Sequence, residues 1–461
     1  MSRTTVFIHI VLIYWAIFAL SGCTQTFSIE VASTQKISDT TGNFNDSLDA
    51  GDQFGSAIST IGDLELDGVT DLAVGAPYDD DNGTDRGAIW ILFMDSVGQV
   101  DITQKISDSQ GGFTGGLDDN DRFGAAVTAM GDLNQDGFLD LAVGAPLDDD
   151  GGTDRGAVWI LFLNADGTVS QTQKISNEVG GFTGTLADDD QFGGTLANIG
   201  DLNNDGVTDL AVGVQNDDDG GSNRGAVWIL YMNPDGSVNA QQKISFTEGN
   251  FEGNLENDDR FGSALAVAGD FDGDGVTDLV VGASGDDDGG TDRGAIWLLF
   301  MNAEGTVQTA QKISQTSGEF DGLLGDGDQF GNAIANVGDL NNDGVSDFAI
   351  GAYSSDDGGL DRGAVWILFM RSSGKVISTS KLSDTNGNFD GVLTDGNQFG
   401  SAIANIGDLD SNGVTDIAAG ANLDDDGGIN AGAIWVLFMA SVKIEGDTKS
   451  DFDLASLFRG Q

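Results

Sequence analysis

Histidine and cysteine are nearly missing from this chain, which has one of each, His9 and Cys23, among 461 residues. Both fall in the first 23 residues, so a chain that lost its leader would keep no histidine and no cysteine other than Cys23. Disulfides, zinc sites built on Cys or His, and Ser-His-Asp or Cys-His catalysis are therefore excluded. Basic residues are also scarce, with 19 Lys and Arg against 75 Asp and Glu, a net charge of −56. Such a balance argues against a nucleic-acid partner, whose phosphates need neutralising cations. It also means that the chain repels itself unless cations or hydrogen bonds hold its carboxylates.

The N-terminus differs in kind from the rest. Arg3 precedes an apolar run from Val6 to Leu20, and Leu20-Ser21-Gly22-Cys23 closes it. Residues 1–22 read as a signal peptide, too short and too close to the start for an ordinary span. The closing phrase resembles a bacterial lipobox, which implies lipidation at Cys23. The plainer alternatives are an ordinary cleaved signal or an uncleaved anchor with an incidental Cys. On the lipobox reading, residues 23–34 form a lipidated tether, and the protein sits in the bacterial cell envelope, on the outer membrane or cell surface. Several acyl chains would hold it there, at about 0.8 kcal/mol per buried methylene.

What the chain has in abundance is repetition. Phe-Gly recurs at Phe54, Phe123, Phe192, Phe261, Phe330 and Phe399, always 69 residues apart, and Trp90, Trp159, Trp228, Trp297, Trp366 and Trp435 keep the same step. So does a Gln-Lys-Ile-Ser phrase at Lys36, Lys105, Lys174, Lys243 and Lys312, with a Ser-Lys-Leu-Ser variant at Lys381. Six copies with no linker between them predict one body over residues 35–446, followed by a C-terminal tail, 447–461.

Each unit reads as four short antiparallel strands. In the second unit these are Ala125–Met130, Leu139–Gly144, Gly156–Leu163 and Val169–Ser176. The third strand, with Val158-Trp159-Ile160-Leu161-Phe162 at its centre, is apolar at nearly every position, so both of its faces must be buried. Blades sandwiched around an axis meet that demand, and the expected fold is an all-β, six-bladed β-propeller. The strand holding Gln35 to Ser38 precedes the first hairpin, and the last unit lacks that phrase, so the N-terminal strand is expected to complete the last blade. A competing closure would use Ser441 to Glu445.

Between the first two strands of each unit lies Asp-x-[Asn/Asp/Glu]-x-[Asp/Asn]-Gly-x-x-Asp. Alternate oxygen side chains with a Gly at the sharp turn make a cage for a hard cation with 6–8 oxygen ligands, hence up to six Ca²⁺. The expected ligands are Asp63, Glu65, Asp67 and Asp71; Asp132, Asn134, Asp136 and Asp140; Asp201, Asn203, Asp205 and Asp209; Asp270, Asp272, Asp274 and Asp278; Asp339, Asn341, Asp343 and Asp347; and Asp408, Asp410, Asn412 and Asp416. The start matches an EF-hand loop, but the twelfth position holds Val74, Val143, Val212, Val281, Ile350 and Ala419 instead of Glu, so these are not EF-hands. Asp-Asn-Gly clusters also form metal-free turns; six copies in register favour the cation. The sixth site, with Asn412 in place of Asp, is expected to be weaker.

Strand parity puts these hairpins on one face and two other acidic loops on the opposite face, typified by Asp148 to Arg155 and Gly112 to Arg122. Those loops are either structural, with Asp121 and Asp154 pairing with Arg122 or Arg155, or a ligand face.

Phe-Gly, the Asp-rich hairpin and then Gly-Ala-Pro together resemble the FG-GAP repeat of the integrin α-subunit β-propeller. Gly-Ala-Pro is complete only at Gly75-Ala76-Pro77 and Gly144-Ala145-Pro146, and six units stand where integrins have seven. The resemblance implies Ca²⁺ in the hairpins and a role in adhesion or protein recognition, and the leading reading is a non-enzymatic surface propeller that binds an extracellular protein or glycan. A carboxylate-dependent polysaccharide hydrolase or lyase and a purely structural surface lipoprotein are the alternatives. An enzyme needs one asymmetric acid–base constellation, which near-identical units do not offer.

Overall fold

The computed structural model describes residues 26–444. By packing, the chain divides into a body, Glu30–Ala440, and a second unit, of which the described parts are the strand ends 26–29 and 441–444. Among the described residues every regular element is a β-strand. After β1 (Thr26–Ile37), the first blade is β2 (Ala57–Gly62), β3 (Asp71–Ala76), β4 (Ala88–Met94) and β5 (Val100–Ser107). The same set recurs as β6–β9 within 126–175, β10–β13 within 195–245, β14–β17 within 261–314 and β18–β21 within 334–383, and the chain closes with β22 (Phe399–Gly407), β23 (Asp416–Ala421) and β24 (Ala433–Ile444). These strands form six four-stranded antiparallel sheets, and the innermost strand of each touches its neighbours around the ring, with β22 reaching β2. The body is the expected six-bladed propeller.

Burial explains the pattern. Strands two and three are buried at every position, as in β3 and β4, while the outer strand β5 is exposed or half-buried from Asp101 to Lys105. Apolar clusters therefore lie between blades. One packs Phe54, Val74 and Trp90 of the first blade against Ile434, Val436 and Phe438 of the sixth. Around the axis, Ile58, Val127, Leu196, Leu265, Ile334 and Ile403 surround a cavity of about 120 Å³.

Phe-Gly is the stitch between blades. Phe54 is fully buried, and Phe44 packs against both it and Trp90 at 5.4 and 5.1 Å between ring centroids. The Phe bridges the glycine before strand three of the preceding blade, as in Phe123 with Gly87 and Phe54 with Gly432. Gly55 has φ +93°, and a Cβ there would meet the Ala433 carbonyl oxygen at 2.5 Å, so no other residue fits.

The last sheet has the order β1-β24-β23-β22, so the N-terminal strand closes the ring. Ser441–Ile444, the competing closing segment, continues β24 instead. The tether boundary needs correction, because residues 26–34 are strand. Val31 donates its backbone N–H to Gly387 as Val100 does to Gly42, and 100 − 31 is the 69-residue step. Cys23, residues 1–25 and the 447–461 tail lie outside the described residues.

Candidate metal centres and the acidic faces

Each acidic hairpin folds around its own carboxylates. In the first, Asp63 accepts hydrogen bonds from the Asp67 and Gly68 amides at 2.9 and 2.8 Å, and Asp67 accepts one from Val69 at 2.7 Å. The chain turns through Leu66 at φ 62° and Gly68 at φ 95°. Asp71 opens strand two and is fully buried; it accepts hydrogen bonds from Leu64 at 2.8 Å and from Met94, on strand three, at 3.0 Å. The loop is thereby pinned to two strands, with its remaining oxygen lone pairs facing one another.

Three of the six loops bring three carboxylates within 4.8 Å of one another: Asp63, Glu65 and Asp71; Asp270, Asp272 and Asp278; Asp408, Asp410 and Asp416. These are the loops with a carboxylate at the third position. In the second and third loops that position is Asn134 or Asn203, whose amide donates to Asp136 or Asp205 at 2.9 Å; in the fifth it is Asn341, whose oxygen accepts from the Asp343 amide. In the sixth, the Asn412 amide donates to Asp410 at 3.0 Å and to the Met439 carbonyl at 2.8 Å. The fourth loop differs again, because Asp270 accepts no hydrogen bond from the described residues and Gly273 and Gly275 carry the turn.

The buried closing aspartates show what the loops are suited to. Burial pushes Asp140, Asp209 and Asp278 up to about 6 and Asp347 to about 7, and raises Asp71 and Asp416. Glu65 is driven to about 7 by burial and by its hydrogen bond to Asp71. A buried Asp140 oxygen, Oδ1, has no hydrogen-bond partner. A divalent cation would lower all of these values and occupy that oxygen. The donor sets fit a hard cation.

On the opposite face the sequence hid a second device. The Gln-Lys-Ile-Ser lysine reaches two aspartates of the loop between strands two and three and lies over the blade's tryptophan. Lys105 pairs with Asp79 at 2.6 Å and Asp81 at 3.0 Å, with Nζ 5.2 Å from the Trp90 ring. Lys174, Lys243 and Lys312 repeat this arrangement. Lys36 does so in the sixth blade with Asp424 at 2.7 Å and Asp426 at 2.6 Å, so the same staple fastens the N-terminal strand. The fifth blade has Ser355 in place of one aspartate.

The expected Asp–Arg pairs are not the ones formed. Arg155 pairs with Asp188 of the next loop at 2.8 Å, and Arg122 stacks on Tyr78 at 4.4 Å. Asp121 instead caps its own loop, accepting the Asp118 amide at 2.9 Å.

Comparison with known proteins places this architecture. The family model of the FG-GAP repeat matches residues 54–92, 123–161, 192–230, 261–299 and 330–368, each stretch running from Phe-Gly into strand three. The chain is an FG-GAP repeat protein. The sixth unit, from Phe399, keeps the same strands and closing Asp416. Integrin alpha-2 of Mus musculus is 36% identical over 167 residues, 35% of this chain and 13% of that protein. Integrin alpha-11 of Homo sapiens is 34% identical over 192 residues, 41% of this chain and 14% of that protein. Phosphatidylinositol-glycan-specific phospholipase D of Bos taurus is 30% identical over 197 residues, covering 42% and 22%. The FG-GAP chain thus spans less than a quarter of the length of each of these relatives.

Proposed function

We propose that this FG-GAP protein is a non-enzymatic, calcium-stabilised recognition module that binds an extracellular protein or glycan. The observation that carries the reading is the set of acidic hairpins, three of which gather three carboxylates within 4.8 Å, set in a propeller whose repeats resemble those of integrin alpha chains. Calcium would offset the repulsion inside each loop, and Asp63, Glu65, Asp67 and Asp71 with their counterparts in the other blades would hold it. The non-enzymatic part is supported by how the buried carboxylates are used. They recur almost unchanged from blade to blade, tied to a lysine or to backbone amides, and no one blade holds an acid and a base in contrasting surroundings.

We further propose that the module is displayed on a bacterial envelope through acylated Cys23, on the strength of Leu20-Ser21-Gly22-Cys23. A glycan array and a pull-down with extracellular proteins, each run with calcium and with excess chelator, test the recognition reading. Calcium-dependent capture of a defined ligand is expected; capture of nothing by a folded, calcium-loaded protein would overturn it.

A further inference from the structure

The six blades are close copies, yet they diverge just after the second strand. After the second-strand Gly-Ala, the first two blades carry Pro77 and Pro146, whereas the next four carry Gln215, Ser284, Tyr353 and Asn422, with Val214 for Ala in the third. All four of the latter line one cavity of about 350 Å³ at the mouth of the axial channel, on the face of the lysine staples. That volume falls within the usual ~300–1,000 Å³ of small-molecule sites. The residue before Phe-Gly supplies more of the wall as Arg260, Gln329 and Gln398, each in a left-handed conformation with φ between 54° and 58°.

Part of the wall is satisfied internally. The Tyr353 hydroxyl donates to Gln329 Oε1 at 2.5 Å, and the Asn332 amide donates to the Gly400 carbonyl at 3.1 Å. Part is not. Asn422 Nδ2 donates to Ser56 Oγ at 3.1 Å, but its Oδ1 is buried and accepts nothing. The Gln398 side chain has no hydrogen bond with the described residues, and the Arg260 guanidinium has no ion pair with them, in a chain of 75 acidic residues. A buried acceptor left open costs free energy unless something fills it.

We propose that this mouth is a saccharide-binding site. Carboxamides offer a donor and an acceptor side by side, as neighbouring sugar hydroxyls do, and the guanidinium adds a fixed fork of donors for a hydroxyl or carboxylate oxygen. An apolar ligand would leave these groups unpaired. The inference rests on the recognition reading above and names its ligand class and its face, opposite the cation hairpins.

The test is calorimetric titration of the calcium-loaded protein with a panel of neutral and uronate-bearing oligosaccharides, repeated on Arg260→Ala and Gln398→Ala. Neither side chain makes a hydrogen bond or ion pair with the described residues, so both variants are expected to keep the parent's melting temperature and ion count. Arg371→Ala, at an exposed ion pair with Glu319, serves as the control. The expected result is binding of at least one saccharide, weakened tenfold or more by each mouth variant and unchanged by the control. Saccharide binding indifferent to both mouth variants would overturn the assignment to this site. Binding of no saccharide in the panel by the folded, calcium-loaded protein would overturn the ligand class while leaving the recognition reading intact.

Discussion

Replacing Asp121 by Asn should make the protein more stable, and by more at pH 8 than near pH 5. Asp121 is 4% exposed, and burial, with the nearby charge of Asp148 added, pushes its carboxyl from 3.8 to about 7. The folded value lies above the unfolded one. The native state therefore keeps a proton that the unfolded chain has lost, and this contribution disappears as pH rises from about 4 through 7. A rise of about three pH units, at about 1.36 kcal/mol apiece, sets an upper limit of ~4 kcal/mol, and local relaxation and water entry reduce it to roughly 1–2 kcal/mol. The sixth blade already carries the substitution: Asn397 accepts the Thr394 amide through Oδ1 and donates to Asp424 Oδ2 at 2.9 Å. The carboxamide introduced by Asp121→Asn would do the same towards Asp148 at every pH. Urea unfolding of both proteins from pH 5 to 8.5 at fixed calcium measures the difference. It should be smallest at pH 5 and grow to ~1–2 kcal/mol in favour of the variant by pH 8; a difference that stays flat, or that grows in favour of the parent, would refute the reasoning.

Replacing Asp274 and Asp278 together by Ala should remove about one bound ion per chain, read by native mass spectrometry, while Asn412→Asp should tighten the sixth site in a calcium titration. Lys36→Met should cost about 3–5 kcal/mol, because it leaves the buried Asp424 charge facing no cation across the ring closure, and a drop under 1 kcal/mol in denaturant unfolding would contradict that. Deleting residues 24–40 should expose two sheet edges and produce aggregation in light scattering, whereas deleting 447–461 should leave the melting curve unchanged. Cys23→Ser should release the protein from the membrane fraction, and mass spectrometry of an unmodified N-terminal Cys23 peptide from the parent would end the lipidation proposal.

Much of this fold is legible in the sequence because it is periodic. The 69-residue step of Phe-Gly and Trp identifies the blade, and a third strand apolar on both faces identifies the sandwiching of blades. The acidic hairpin residues are legible because they fall within one short stretch of chain. What stays hidden joins residues distant in the chain. Lys105 and Asp79 are 26 positions apart, and Lys36 and Asp424 are 388 apart, so the staple that explains the Gln-Lys-Ile-Ser phrase leaves no local trace. Arg155 looks like a partner for its neighbour Asp154, but it extends to Asp188 because the loop of the next blade comes to lie beside it. The start of β1 carried a usable signal. Ile29 and Val31 alternate with Glu30, a half-buried strand pattern, and Val31 lies one repeat before Val100.

Calcium support of the fold is the central claim, and thermal unfolding paired with an ion count on the same sample tests it most directly. The account predicts several bound calcium ions per chain, up to six, and a melting temperature that falls sharply when excess chelator removes them. A chain that binds no calcium, or one whose melting curve is the same with calcium and with chelator, would contradict it.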